Sequence, residues 1–350
     1  MKTSPRSIHR VLAAAMTAAA AILFAVPASA QSAAEFYRGK TVTLGIPSTA
    51  GGGYDEYVRV LGRHFGKHLA GNPAMLPQNV PAGGGLVLVN NLYNAVPKDG
   101  TYIGLVRPSA LYEELFGNAA ASFKGREFTW LGNLNSDHDT CVFWHSSGVQ
   151  SPADFYSREI LLGATGAGAM SFSFPRVYND VLGTKFKIVS GYGGTPDRML
   201  AMERGELHGA CGLTTATFKA TLAQPYKEGK LKLIAQAGIN KDPDFPDTPN
   251  ILDEAKTAEQ RQALEFLFAQ MEINRAMAAP PGVPAERAKA LRDAFEATMK
   301  DKEFLADAEK VKLDVDWMGA EATAKTVERL YASPKPVIDK LRAALATGAK

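Results

Sequence analysis

The chain has little cysteine: Cys141 and Cys211 are the only two in 350 residues. Two cysteines either pair in an oxidising compartment or stay as separate buried thiols, and their number leaves both readings open. It has one apolar run near membrane length, Val11 to Val26, at the N-terminus. Sixteen residues fall short of the roughly 20 that a bilayer needs. Gly51-Gly52-Gly53 is not the dinucleotide-binding spacing, and no Gly-Lys-Ser/Thr follows it as in a phosphate loop. It lacks a G-x-S-x-G nucleophile elbow, which argues against hydrolase chemistry. His64 and His68 stand four apart, but Phe65 follows His64 where the zinc proteases have glutamate. They read as ordinary surface or core histidines. No low-complexity segment or solenoid-period repeat follows the N-terminal run.

What the N-terminus does have is an export signal. Lys2, Arg6 and Arg10 precede the apolar run, Pro27 breaks it, and Ala28-Ser29-Ala30 is a small-residue cleavage site before Gln31. Export implies the periplasm. The formal net charge of +3 comes from those three basic residues, so the processed chain is near neutral. The charge therefore gives no ground for nucleic-acid binding. About 320 remaining residues suggest two domains.

Those residues read as alternating strands and helices. Strands are expected at 41–46, 73–80, 101–106, 140–144, 159–164, 186–190, 209–213 and 231–235. A helix after Gly53 carries Tyr54, Val58, Leu61, Phe65 and Leu69 on one face. Further helices are expected at 170–182, at 196–204 and through most of the tail from Pro284. Residues 242–249, rich in Pro and Asp, read as an exposed turn or linker. This order is that of parallel α/β domains.

Four glycine-rich segments follow expected strands: 51–53, 83–85, 166–168 and 191–194. Glycine permits close approach to backbone, and a helix N-terminus offers free N–H groups and partial positive charge. Such turns suit a carboxylate or phosphate, and in open α/β sheets they gather at the carboxyl ends of strands. Arg107, just after a strand, is either an additional anion contact or a solvated or structural arginine. Asp137-His138-Asp139 reads as a solvated hinge segment rather than a metal site.

The run 46–55, Ile-Pro-Ser-Thr-Ala-Gly-Gly-Gly-Tyr-Asp, resembles the opening signature of the tripartite tricarboxylate transporter substrate-binding proteins, also called the Bug family. Residues 78–85, 97–101, 192–196, 205–208, 245–249 and 279–284 resemble later family segments in the same order. The resemblance implies a two-domain Venus-flytrap α/β fold of the type II-like periplasmic binding class, with its ligand cleft between the domains. It implies one domain from 31–133 and 250–350, completed by the C-terminal helices, and a second from 134–249. It implies a monomer without cofactor, metal or enzymatic activity, which passes a small organic acid to the membrane subunits of a tripartite tricarboxylate-type transporter. A ligand-binding partner of a periplasmic sensor, or an α/β enzyme with an anion-binding loop, is the alternative.

Carried over by position, the resemblance implies ligand contacts at Ser48, Thr49, Gly52, Gly53, Tyr54, Asp55, Ala82 and Gly83 in the first domain. In the second it implies Gly168, Ala169, Met170, Ser171, Tyr192, Gly193, Cys211, Gly212, Leu213 and Thr214. The chain departs from the family at 166–172, where Ala, Met and Phe replace polar residues. The expected ligand is therefore an acid with one carboxylate at the first domain and an apolar or aromatic body against Met170 and Tyr192. If Cys141 and Cys211 lie on neighbouring strands of the second domain, they can pair.

Overall fold

The computed structural model describes residues 32–48, 50–51, 53–165 and 169–346. The export signal at 1–30, Gln31, Thr49, Gly52 and Gly168 lie outside the described residues. Among the described residues, no helix is long and apolar enough to cross a membrane.

Four strands begin the fold: β1 (Thr41–Ile46), β2 (Ala74–Asn79), β3 (Tyr102–Val106) and β4 (Thr129–Asn133). The chain then crosses to a second sheet made of β5 (Asp139–Trp144), β6 (Ile160–Ala164), β7 (Phe186–Ser190), β8 (Gly209–Thr214) and β9 (Leu231–Ala237). It returns to give the first sheet β10 (Ala276–Ala279) and the short β11 (Met318–Gly319). The orders are β11-β4-β10-β3-β1-β2 and β7-β6-β8-β5-β9. Each sheet holds three parallel strands, β1–β3 in the first and β6–β8 in the second, and the strand next to them, β10 or β5, is antiparallel and is the first strand after a crossing. The parallel connections need helical crossovers, which is why strand and helix alternate along the sequence.

The helices include α1 (Gly53–His68), α2 (Leu86–Asn94), α3 (Met170–Leu182), α4 (Thr195–Glu203), α5 (Ala258–Glu272) and α6 (Lys335–Ala346), of which all but α2 contribute residues to the cleft. The apolar stripe of α1 buries Val58, Leu61 and Phe65 against Val42, Leu44 and Ile46 of β1. Each such side chain stabilises by about 1.5–3 kcal/mol when fully buried. Helix α5 serves both sheets. Its Phe266 ring lies 4.9 Å from Tyr112, and its Phe268 ring lies 5.9 Å from Phe174 of α3. Helix α6 also spans the two halves: Arg176 Nε of α3 donates to Ala344 O at 3.2 Å, and Arg342 Nη1 donates to Phe116 O at 3.2 Å.

One segment differs from expectation. Residues 137–139 are not solvated: Asp137 is 7% exposed and Asp139 fully buried, because β5 is buried along its whole length. Residues 242–249 form a mostly exposed turn, as expected, and it is anchored to β9. Gln236 Nε2 donates to the carbonyls of Phe245 and Thr248, Gln236 Oε1 accepts from Asp242 N, and Asp242 is buried.

Candidate functional site

A cavity of about 680 Å³ lies between the sheets, lined from the first half by Gly53, Tyr54, Arg107 and Arg275 and from the second by Met170, Ser171, Arg198 and Gly212. Helix N-termini face it from both sides, α1 beginning at Gly53 and α3 at Met170. Both are long enough for the dipole to attract an anion.

The wall of the first sheet is held by a buried acid. Asp55 accepts from Gly51 N at 2.8 Å, from Arg59 Nε at 2.9 Å and from Asn79 Nδ2 at 2.8 Å. Asn79 Nδ2 also donates to Ser48 O at 2.9 Å. Burial pushes the Asp55 carboxyl up, but the bonds from Arg59, Gly51 and Asn79 outweigh it and hold the pKa below the ordinary carboxylate value. Asp55 thus pins the first glycine-rich turn to α1 and β2, and neither it nor Ser48 lines the cavity. Ala82 and Gly83 sit in an exposed 3-10 turn and do not line it either. The second glycine-rich turn contributes through Gly85 instead. Its φ is +99°, and a Cβ there would lie 2.9 Å from Arg107 Cδ, so glycine leaves the room in which Arg107 passes.

Arg107 reaches the aromatic ring of Tyr54, its Cζ 4.9 Å from the ring centre. Arg275 Cζ lies 4.4 Å from the same centre and 5.0 Å from that of Tyr57. Cation–π attraction of this kind is worth about 0.5–2 kcal/mol. Tyr54 Oη donates to Asn274 Oδ1 at 3.1 Å. The Nε atoms of Arg107 and Arg275 are buried with no hydrogen-bond partner among the described residues.

The opposite wall is built on β8. Its pairing with β5 shifts register so that Cys211 and Gly212 together stand opposite Cys141, a β-bulge. Gly212 adopts φ +74° and its N–H donates to Asp139 Oδ2 at 3.0 Å. A Cβ on Gly212 would come within 2.2 Å of Ser171 N, so this glycine seats the start of α3 directly on the strand. Burial pushes the Asp139 carboxyl well above its usual range, against the opposing bond from Gly212. Ser171 Oγ accepts from Thr165 N at 3.2 Å, and Thr214 Oγ1 caps the next helical turn by accepting from Thr217 N. Arg198, on α4, is 4% exposed. Its Nη2 donates to Thr195 Oγ1 at 3.1 Å, its Nε donates to Gly194 O at 3.4 Å, and Nη1 has no partner among the described residues.

Of the positions singled out in sequence, the cavity brings together Gly53, Tyr54, Ala169, Met170, Ser171, Gly212, Thr214 and Arg107. It does not include Tyr192 or Gly193; Tyr192 packs against the apolar cluster that contains Val142, Trp144 and Met202. Leu213 is turned into that same core. Cys211 is fully buried and its sulfur is bonded to Cys141, which turns it from a cleft contact into a core staple. Arg198, Asn274 and Arg275 line the cavity without having been singled out. Arg198 did leave a signal, since a cation near the start of a helix opposes the dipole. Histidines 64 and 68 pair with Asp307 and Asp301 at 3.0 and 2.9 Å.

No protein-family model matches the chain. A UPF0065 protein from the TAR-I ttuE-ttuC' intergenic region of Agrobacterium vitis is 27% identical over 284 residues, covering 77% of this chain and 74% of the relative. A UPF0065 protein from the gbd 5' region of Cupriavidus necator is 22% identical over 95% of this chain and 97% of its own length. Among solved structures, a TctC solute binding protein from Polaromonas has TM-score 0.65 at 20% identity, over 87% of this chain and 99% of its own. The periplasmic binding protein BugD has TM-score 0.62 at 19% identity, over 87% and 98%. MatC of Rhodopseudomonas palustris, solved with malate, has TM-score 0.60 at 17% identity, over 85% and 99%.

Proposed function

We propose that this chain, which has the fold of the TctC and BugD binding proteins, is a periplasmic solute-binding protein of the tripartite tricarboxylate type that captures a small organic carboxylate. The resemblance read from the glycine-rich segments and the comparison of folds agree on the family. The observation that carries the ligand class is the cavity itself: two helix N-termini and three arginines face one space of about 680 Å³. A charge-assisted hydrogen bond contributes about 1.5–3 kcal/mol. Three or four of them, offset by ordering and closure, reach the ~8 kcal/mol of a micromolar complex. The MatC structure holds malate, an acid of the class proposed here. On this reading the protein is exported, cleaved after Ala30, binds its ligand without turning it over, and delivers it to transporter subunits in the membrane.

The test is a thermal-shift screen of the processed protein against mono-, di- and tricarboxylates, with titration calorimetry on the hits. A bound acid at a hundred times its Kd should add about 2.7 kcal/mol of stability. A chain that binds no carboxylate, or that converts the acid it binds, refutes the proposal.

A further inference from the structure

At the end of α1 far from the cavity, His64 and His68 stand one turn apart and share a face. They lack the adjacent glutamate of the zinc proteases, but the fold brings acids to them from another helix, Lys302–Lys310, and from Asp301 at its start. His68 Nε2 lies 2.9 Å from Asp301 Oδ2, and His64 Nε2 lies 3.0 Å from Asp307 Oδ2. A ring nitrogen of His64 and one carboxylate oxygen each of Asp301 and Glu303 all lie within 4.8 Å of one another. We propose that His64, Asp301 and Glu303 bind a divalent ion of the zinc class, which pins the last turn of α1 to the helix Lys302–Lys310. His68 holds Asp301 in place for it. About 16 Å of α1 separates His64 from Gly53 at the cavity, so the ion is remote from the carboxylate.

Three observations carry the site. Asp301 is the N-cap of its helix: Oδ1 accepts from Glu303 N at 2.9 Å, which leaves Oδ2 facing α1 and fixes the carboxylate in advance. The His64 side chain is only 13% exposed, and its ring stands edge-on to Phe304 with centres 6.0 Å apart, so the imidazole is held towards the acids. Finally, a cation already sits where two of the ligands converge. Lys67 Nζ lies 2.6 Å from Asp301 Oδ2 and also pairs with Glu303. Its side chain is 40% exposed on a flexible stem, so the ammonium is free to yield that point to a metal and turn to solvent. A tetrahedral ion with bonds of about 2.0–2.1 Å sets its ligand atoms about 3.4 Å apart, which these three reach by small side-chain rotations. Imidazole with carboxylate suits zinc, whereas magnesium and calcium prefer oxygen alone. The competing reading is an exposed ion-pair network in which Lys67 and Arg63 neutralise Asp301, Glu303 and Asp307. The two readings part at Lys67: in the network it is a partner of the acids, and at a metal site it is a competitor for them.

The experiment titrates the tag-free processed protein, first dialysed against a chelator, with zinc chloride by calorimetry, and with magnesium chloride in parallel. Zinc should bind saturably with one equivalent per chain, and magnesium should not. His64→Gln and Asp301→Asn should each weaken zinc at least about 10-fold; asparagine keeps the helix cap while removing the charge. Lys67→Met should tighten zinc roughly 3- to 30-fold, the weight of two exposed ion pairs that the metal no longer has to break. Circular dichroism checks the fold of each variant, and should His64→Gln fail to fold, Asp301→Asn and Lys67→Met carry the test. Absence of saturable zinc binding to the native chain overturns the site, and equal affinity for magnesium overturns the class of ion. Zinc affinity that survives both His64→Gln and Asp301→Asn belongs to another place on the chain and overturns the assignment. Unchanged or weaker binding by Lys67→Met overturns the placement of the ion where the ammonium stands.

Discussion

Gly212→Ala should damage both the second wall and the binding it supports. At φ +74° an alanine carries the left-handed penalty of about 1–2 kcal/mol. The new Cβ would also stand 2.2 Å from Ser171 N, 2.3 Å from Ser171 Cα and 2.4 Å from Met170 C. These are backbone atoms of the first turn of α3, which cannot rotate aside. Displacing them adds the roughly 1–3 kcal/mol typical of overpacking, for a total of about 2–5 kcal/mol. Gly183, at the other end of α3, separates the two costs. Its φ is +81°, but nothing lies within 4 Å of its Cβ position. Gly183→Ala should therefore show the conformational penalty alone. Urea denaturation gives both stabilities, and calorimetry with a carboxylate found in the screen gives both affinities. Only Gly212→Ala should lose affinity, since Met170 and Ser171 line the cavity and Gly183 does not. Equal destabilisation by the two variants, with affinity intact in both, would refute the seating of α3 on β8.

The Cys141–Cys211 bond spans a sequence separation of 70 residues, so the double Cys→Ala variant should lose about 4 kcal/mol in the chain-entropy model, a fall in Tm on the order of 10 °C. Ligand binding should persist, because neither sulfur lines the cavity, and mass spectrometry of the periplasmically made protein should find no free thiol. Asp242 gives a pH dependence. Burial pushes its carboxyl up, but the bonds from His138 and the Asp244 N–H outweigh this and hold it at about 2. A lowered folded-state pKa contributes stability above the unfolded value near 3.9, and that stability is lost as pH falls towards 2. The Tm difference between the native chain and Asp242→Asn should therefore shrink between pH 5 and pH 2; a constant difference would refute the pairing.

Most of the parallel strands were legible because each is an apolar run closed by turn residues. The strand at Phe186–Ser190 and the helix at Met170–Leu182 have the expected bounds. Ala276–Ala279 was not legible. Four small or flexible residues carry no alternation and no β-branched side chain, and they are strand only because β3 and β4 pair with them on either side. The Asp137-His138-Asp139 triplet looked solvated for the converse reason. Three polar residues before an apolar strand read as a loop, and nothing local announces that the crossing runs through the interior. At the site, the glycine-rich segments pointed to the cleft, because turn chemistry is local. The inward aim of Arg198 and Arg275 was hidden, because the burial of a cation depends on residues far along the chain.

The crossings matter to the site as well as to the fold. Leu134 N donates to Arg275 O at 3.1 Å, and Arg275 N donates to Asn133 Oδ1 at 2.8 Å, so the outgoing and returning segments are bonded to each other beside the cavity. Asp137 N donates to Met271 O at 3.0 Å, which ties the outgoing crossing to α5, the helix that packs on both halves. Arg275 therefore combines two positions, lining the cavity and belonging to a segment that joins the sheets.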